Sequence, residues 1–595
     1  MNEQAANTKM IGKLLFRLLP VQILLCAIGS VNGIVSSFFA SNFVGIEAMG
    51  AVGLYGPIGM LVSTISTVLV GGSAILCGKY LGRNEQEKVQ NVFSLNLILS
   101  LLISLAFILL YLALGLLDLT GFLTRDPVVR QLFNRYLLGQ TVSVVPQMLG
   151  SSCAAFLSLE NRQGRTFGAS LGYIAANILL NFLFVQLLRL EALGLALANG
   201  LGMWVFLGMQ AQVFLAGKSI FRITLRHPRW EEAGELLRIG LPGAAGNLYQ
   251  TGRGLIVNKL LEVFVGSAGI SAFAAANSLL GLLWALPGGM LAVSRMVISV
   301  SVGEEDRQSL TDVMRVMFRR FLPLMGAVSL AVILCAVPLT RIFYRDPAES
   351  VFMMTVWGFR LLPLCMPLAI ICMHFTCYWQ SSGKEGIVHL LALLDGVVCV
   401  AGFSALLVPA AGMNGVYIAN VLNGVVSVLV VVCFAWLKNR RFPRNMAELM
   451  VIPEDFGVSA DERMDLSIRS MEDVVAVSRQ VQRFCLDRGI SPRSAYLAGL
   501  SMEEMAGNVV EHGFSMDRKP HSVDLRVVHK GEDVILRIKD DCVPFDPRER
   551  QAITAPDDPA KNVGLRLVFR MAKDVQYQNI LGLNVLTLRI GGQTR

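Results

Sequence analysis

Charge is scarce in this chain. Asp, Glu, Lys and Arg make up only 16% of the 595 residues, against 54% hydrophobic residues, and mean hydropathy is +0.57. That balance excludes a wholly soluble globular protein and points to a polytopic membrane protein with a polar appendage. Cys-x-x-Cys spacing is missing among the eleven cysteines, and Cys26, Cys77, Cys335, Cys399 and Cys433 fall inside apolar runs. The sulfurs therefore read as small buried hydrophobes rather than a metal clip or disulfide framework. No Gly-x-x-x-x-Gly-Lys-[Ser/Thr] segment occurs, which argues against an ATP-driven pump of the phosphate-loop kind. The first apolar span lacks a small-residue cleavage site and is expected to stay as a signal anchor. Nor does the net charge of +9 indicate a nucleic-acid partner. Residues 446–595 carry 20 Lys+Arg against 23 Asp+Glu, leaving 32 against 20 in residues 1–445. The basic excess is a membrane-flank signal, because Lys and Arg concentrate in cytoplasmic loops.

What the chain does contain is a duplication shifted by about 221 residues. Gly45–Ala51 is echoed by Gly266–Ala272, Tyr80–Glu85 falls on Ser301–Asp306, and Gly194–Asn199 returns as Gly415–Asn420. Apolar stretches long enough to cross a bilayer core of about 30 Å lie at roughly 15–40, 52–78, 92–117, 134–158, 167–188 and 193–216. A second set lies at roughly 238–264, 271–300, 318–340, 352–380, 387–409 and 412–437. Six plus six spans predict two parallel lobes, 1–220 and 221–440, followed by a linker (441–465) and a polar domain (466–595). Repeats of this length are how many secondary transporters are built, with substrate held where the halves meet. Basic residues before the first span and after the even-numbered spans place both termini in the cytoplasm of a multi-pass cell-membrane protein.

Several features of residues 10–440 together resemble the multidrug and toxic compound extrusion (MATE) family. They are the duplication, Ile239-Gly240-Leu241-Pro242 opening the second lobe, Gly45 through Pro57, and Gly71-Gly72 followed by Lys79-Tyr80-Leu81-Gly82-Arg83. Asn177-Ile178-Leu179-Leu180-Asn181 in the fifth span adds to them. The resemblance implies export of small organic, often cationic, compounds in exchange for Na⁺ or H⁺ by rocking of the lobes. Many relatives carry acidic residues in the first and fifth spans, where this chain has Asn32 and Asn181. Amides donate oxygen ligands but do not titrate, so the usual first-lobe coupling pair reads as neutralised. Asp395 in the eleventh span and Glu262 late in the seventh become the coupling candidates, since ionisable residues inside membranes are costly and mark function. For Arg253, Arg295, Arg360, His374 and His389, snorkelling or local pairing is the expected role.

After Arg444 the texture changes. Met471–Asp487 and Ser494–His512 read as amphipathic helices, and 521–529 and 533–540 as paired strands. Val563–Lys573 reads as helix and Asn584–Ile590 as a closing strand, giving an α+β two-layer sandwich. Glu504, Asn508 and His512 are spaced i, i+4, i+8, which places a carboxylate, an amide oxygen and an imidazole on one helical face. Downstream, Ile538-Lys539-Asp540-Asp541-Cys542 leaves a strand, and Asn562-Val563-Gly564 opens a helix whose free N–H groups suit phosphate. In this order the three segments resemble the boxes of the GHKL ATPases, closest to the anti-sigma-factor serine kinases. The resemblance implies ATP binding, with Asn508 on Mg²⁺, Glu504 base-like, Asp540 on the adenine amino group and Gly564 near the phosphates. Arg548–Lys561 is a candidate lid. The leading expectation is a MATE-like exporter regulated by, or acting on a cytoplasmic protein through, its ATP-binding domain. The alternative is a membrane sensor of degenerate carrier fold that controls a serine-kinase or anti-sigma-like switch, and lipid flipping by the same scaffold stays open.

Overall fold

The computed structural model describes residues 3–44, 46–122, 127–217, 219–223, 230–344, 346–514, 521–547 and 563–591. They form two compact units. One comprises Leu18–Gly303 with Met317–Val451; the other comprises Met1–Arg17, Glu304–Val316 and Ile452–Arg595.

The first unit is helical throughout, and two of its helices begin in the other unit, over residues 3–17 and 307–316. Its first lobe contains α1 (Glu3–Phe39), α2 (Ile46–Arg83), α3 (Gln86–Leu116), α4 (Pro127–Leu159), α5 (Gln163–Asn181) and α6 (Glu191–Leu215). Its second contains α7 (Glu231–Phe264), α8 (Ser267–Leu283), α9 (Ala285–Gly303), α10 (Arg307–Leu334), α11 (Ser350–Leu361), α12 (Cys365–Ser381), α13 (Glu385–Leu393), α14 (Cys399–Ala411) and α15 (Met413–Asn439). Among the described residues, eleven helical stretches are long and apolar enough to cross a membrane. The expected seventh span is one long helix, α7, which carries Glu231, Glu232, Glu235, Arg238, Arg253, Lys259 and Glu262 and is not among those eleven.

The duplication persists in backbone detail. Asn84 joins α2 to α3 in the left-handed conformation (φ 64°), and Glu305, at the equivalent position, joins α9 to α10 in the same conformation (φ 54°). Glycine lets the lobes touch. A Cβ on Gly72 of α2 would strike the Leu236 carbonyl of α7, and one on Gly240 of α7 would strike the Val68 carbonyl of α2. Near the ends of α2 and α9, Gly78 lies against Ser299 and Gly303 against the Lys79 carbonyl. Positions 78 and 299 are equivalents in the repeat, so the seam runs where the pseudo-twofold relation brings each lobe onto its counterpart. Polar contacts flank it: Asn91 Nδ2 donates to Glu232 Oε2 at 2.6 Å, and Lys79 pairs with Glu235 at 3.8 Å.

The second unit holds a five-stranded, wholly antiparallel sheet in the order β1-β2-β3-β5-β4. The strands are β1 (Arg463–Ile468), β2 (Val523–Lys530), β3 (Asp533–Asp540), β4 (Asp574–Ile580) and β5 (Leu583–Gly591). Helices α16 (Met471–Asp487), α17 (Pro492–Asn508) and α18 (Val563–Met571) complete it. Alternation sets the layers, because successive strand side chains point to opposite faces. Val523, Leu525, Val527, Val534, Leu536, Ile538, Leu586, Leu588 and Ile590 pack into the core with Val474, Val481, Leu497 and Met502 from the helices. Ser470 starts α16 with a reciprocal capping box to Asp473, and Ser491 caps α17 ahead of Pro492. The expected α+β sandwich is present, with β1 and β4 as further strands. Both lie at sheet edges, and their short half-buried runs carry little hydrophobic period.

Candidate functional site

The strongest candidate lies in the second unit, between α17 and the sheet. A hollow of about 220 Å³ is lined by Asn508, His512, Ile538, Asp540, Cys542 and Asn584, with Met505, Leu565, Tyr577 and Leu586 giving it apolar walls. Asp540 ends β3 and is nearly buried. Its Oδ1 accepts from Asn584 Nδ2 at 2.7 Å and from the Cys542 backbone N–H at 3.0 Å. Burial raises the Asp540 carboxyl above the usual aspartate range, and these hydrogen bonds offset part of that rise. Asn584 stands opposite Asp540 in the β3–β5 register. Its Oδ1 accepts from Tyr577 Oη at 2.8 Å and from Asn579 Nδ2 at 2.8 Å. A buried carboxylate held by amides on an apolar floor suits a planar heterocycle bearing an exocyclic amine.

Asn508 closes α17, and its Nδ2 donates to the Glu504 carbonyl at 2.6 Å, turning the amide back along its helix. From Val509 to Gly513 the chain continues as π-helix, so His512 departs from strict i+4 spacing but still lines the hollow. Glu504 does not line the hollow; its carboxylate occupies the space a Cβ on Gly564 would fill. Any larger residue there would displace the Glu504 carboxylate. The structure thus gathers Asn508, His512 and Asp540 around one hollow and sets Glu504 against Gly564 beside it. Arg548–Lys561 and Asn562 lie outside the described residues. Asn584 and Tyr577 escaped the sequence reading, since their place depends on which strands pair.

The other face of the same sheet is highly charged. Arg526 on β2 pairs with Asp306 and, through Nε, with Asp465 of β1 at 2.6 Å. Lys539 on β3 pairs with Glu304 at 2.6 Å, and Lys530 with Glu305 at 3.2 Å. Glu304 and Asp306 are almost wholly buried, with 4% and 2% side-chain exposure. Burial pushes the Glu304 carboxyl up, but Lys539, Arg537 and Arg526 together hold it below its ordinary value. Desolvation lowers Arg526 to about 10. The preceding segment joins in: Arg307 donates to the Pro453 carbonyl at 2.6 Å and Arg463 to Gln308 Oε1 at 2.7 Å. A Cβ on Gly457 (φ 82°) would strike the Glu305 carbonyl. The turn from α9 to α10 is therefore part of the unit that contains the sheet.

Within the helical unit, Asn32, Asn177 and Asn181 come together as a chain of amides. Asn177 Nδ2 donates to Asn32 Oδ1 at 2.8 Å and to Tyr173 Oη at 3.1 Å, and Asn181 Nδ2 donates to Asn177 Oδ1 at 2.6 Å. Tyr173 in turn donates to Asn199 at 2.9 Å. Asp395 lies apart from them in the second lobe, on a π-helical stretch from Leu394 to Val398. Its Oδ1 accepts from Asn423 at 2.6 Å, and Arg253 reaches its backbone carbonyl at 3.5 Å. Glu262 is exposed and pairs with Lys259 at 2.9 Å, and Arg360 stacks over Trp357, itself exposed.

Comparison with known proteins agrees with this division. Residues 23–183 match the MatE family model, and residues 469–590 match the model of the histidine kinase-like ATPase domain. No curated protein matches the chain. Among solved structures, one described as the outward-facing conformation of a multidrug resistance MATE family transporter of the MOP superfamily aligns with a TM-score of 0.67 at 22% identity. The alignment covers 74% of this chain and 96% of that one. A MATE in the bent conformation aligns at 0.66 and 21%, covering 74% and 98%. A MOP superfamily transporter from Pyrococcus furiosus, whose binding pocket is described as of reverse polarity, aligns at 0.65 and 21%, covering 72% and 97%. The chain thus carries a MatE domain within a MATE-type membrane fold and, after it, a histidine kinase-like ATPase domain.

Proposed function

We propose that this protein is a secondary transporter of small organic compounds whose activity is set by ATP binding to its C-terminal domain. The observation that carries the proposal is the burial of Glu304 and Asp306 against Lys539 and Arg526. The turn linking two transport helices is built into the ATPase unit, and β3 bears Lys539 on one face and Asp540 on the other. A change at the nucleotide hollow is one residue away from the grip on the turn.

In this reading Asp540, oriented by Asn584, would accept a hydrogen bond from the adenine amino group. Asn508 would offer its amide oxygen to Mg²⁺, a hard ion that favours few protein oxygens beside phosphate. His512 lines the same hollow, Gly564 leaves room by the phosphates, and Glu504 is the base-like residue. Bound ATP would supply binding energy and a transferable phosphoryl group, the latter for any cytoplasmic protein partner. On the transport side, Asp395 is the group available to exchange Na⁺ or H⁺ in antiport, Asn32, Asn177 and Asn181 form an uncharged polar site in the first lobe, and Glu262 lies outside this machinery. Both termini are assigned to the cytoplasm of the cell membrane. The neutral amide chain favours one second reading, a membrane sensor that controls a kinase-like switch.

Vesicle uptake of a fluorescent organic ion under an imposed Na⁺ or H⁺ gradient tests the proposal. ATP is expected to change the wild-type rate at least about twofold, a modest coupling by the usual range, and Asp395→Asn to slow uptake. Asn508→Ala should abolish both ATP binding and the ATP response. ATP binding left intact in Asn508→Ala would remove the nucleotide-site assignment. ATP binding without uptake under either gradient would leave the sensor reading.

A further inference from the structure

Arginine is among the costliest residues to place within a membrane span, and there it is normally paired. Arg295 of α9 lies eight residues inside Gly303, about 12 Å along the helix at 1.5 Å per residue. That depth exceeds what an arginine side chain spans, so it does not snorkel to the end of the bundle. Its guanidinium rests beside α2 at the lobe seam: a Cβ on Gly71 would sit 3.4 Å from Nη1. The contact is one helical turn further in than Ser299, which meets Gly78. The thiols of Cys26 on α1 and Cys377 on α12 are within electrostatic range. Arg295 Nε is buried without a hydrogen-bond partner, while the residue as a whole stays partly accessible. Among the described residues no carboxylate pairs with it.

Three other charged residues in or beside the spans are accounted for differently. Arg253 has Asp395 beside it, Glu262 has Lys259, and Arg360 has Trp357. The position equivalent to Arg295 in the first lobe is Ala74. Among the described residues, Arg295 thus stands without a counter-ion at the seam between the lobes, facing a first lobe whose own polar cluster is neutral.

We infer that Arg295 binds an oxyanion of the substrate, a carboxylate, sulfonate or phosphate, and that the transported class is organic anions rather than organic cations. This rests on the transporter reading proposed above. A guanidinium suits such groups because its planar N–H donors match two oxygens at once. An anion also supplies the charge that the surrounding helices do not, whereas a cation at the same place meets repulsion in a medium of low dielectric constant.

Two xanthene dyes of opposite charge, fluorescein and rhodamine 6G, test the inference on the full-length protein. Equilibrium binding in phosphatidylcholine nanodiscs is read by fluorescence anisotropy, and uptake is read in vesicles. Wild type should bind fluorescein in preference to rhodamine 6G. Arg295→Gln should weaken fluorescein binding at least about tenfold, the scale of a lost charged hydrogen bond. Arg295→Lys should restore part of it, which a folding defect would not allow. Adding phosphatidylglycerol separates the sources of the anion: displacement of fluorescein assigns the site to lipid headgroups, and its persistence assigns the site to soluble anions. Equal fluorescein binding by wild type and Arg295→Gln, or a wild type that takes rhodamine 6G in preference, overturns the inference. Arg295-dependent fluorescein binding without uptake keeps the anion site and removes the transport reading, while uptake of rhodamine 6G alone does the reverse.

Discussion

The two copies of one turn, Arg83-Asn84-Glu85 and Glu304-Glu305-Asp306, share a backbone and differ in charge. Each places a left-handed residue between two helices, at Asn84 and at Glu305. The acidic residue that follows precedes the next helix in both, and Asp306 Oδ1 accepts from the Ser309 backbone N–H at 2.9 Å. In the first lobe Glu85 pairs locally with Lys88 at 2.6 Å. In the second, all three residues are acidic, and each meets a base from the ATPase sheet. Conformation was inherited through the duplication; charge follows what the turn touches.

Reversing the charge breaks the comparison most strongly. Glu304→Lys would bury a cation beside Lys539, Arg537 and Arg526, and losing a buried pair costs about 3–5 kcal/mol. The expected result is faster proteolysis of the segment around Gly457, partly restored when Lys539→Glu is added. Arg83→Glu, at an exposed position in the first-lobe turn, should change stability by about 0.5 kcal/mol or less. Next in size is Gly457→Ala, which adds a Cβ at φ 82° against the Glu305 carbonyl. Positive φ and overpacking together should cost about 2–3 kcal/mol, read as a lower urea midpoint of the ATPase unit in the full chain.

Asp524 sharpens the comparison through pH. It lies on the charged face opposite Lys539 in the β2–β3 register, and burial lifts its carboxyl to about 6, with Lys539, Ser467 and Arg469 opposing and Asp541 adding to the rise. The folded state then holds more protons than the unfolded one between the ordinary aspartate value and about 6. This residue's contribution therefore falls as pH rises through that window. Asp524→Asn should stabilise the unit by about 1–3 kcal/mol at pH 7 and by nothing below about pH 4, as urea titrations at the two pH values would show. Within the ATPase unit the smallest effect belongs to Glu305→Asn, which installs the first-lobe residue. It removes an exposed pair with Lys530 and should cost under about 1 kcal/mol, less again in about 0.5 M salt.

Much of this architecture was legible from residues alone. Long apolar runs and the 221-residue shift announced the two lobes, because lipid tolerates little besides helices with their backbone groups satisfied internally. The helical face from Glu504 to His512 and the strand ending at Asp540 pointed to the segments that border the hollow of the second unit. Four things stayed hidden. Asn584 joins Asp540 only through the β3–β5 pairing, which no local pattern specifies. The edge strands β1 and β4 are short and half-buried. The partners of Glu304 and Asp306 lie more than 200 residues away, so their acidity reads as an ordinary solvated loop until the sheet's basic face is known. Arg295 likewise reads as a paired or snorkelling residue until its neighbours, glycine and thiols, are seen.

Uptake of a fluorescent organic ion by vesicles, with and without ATP, in wild type and Glu304→Lys tests the coupling most directly, provided ATP binding is measured alongside. ATP should change the rate in wild type and leave it unchanged in Glu304→Lys, although both proteins bind the nucleotide. An identical ATP response in the two would contradict a coupling that passes through the acidic turn.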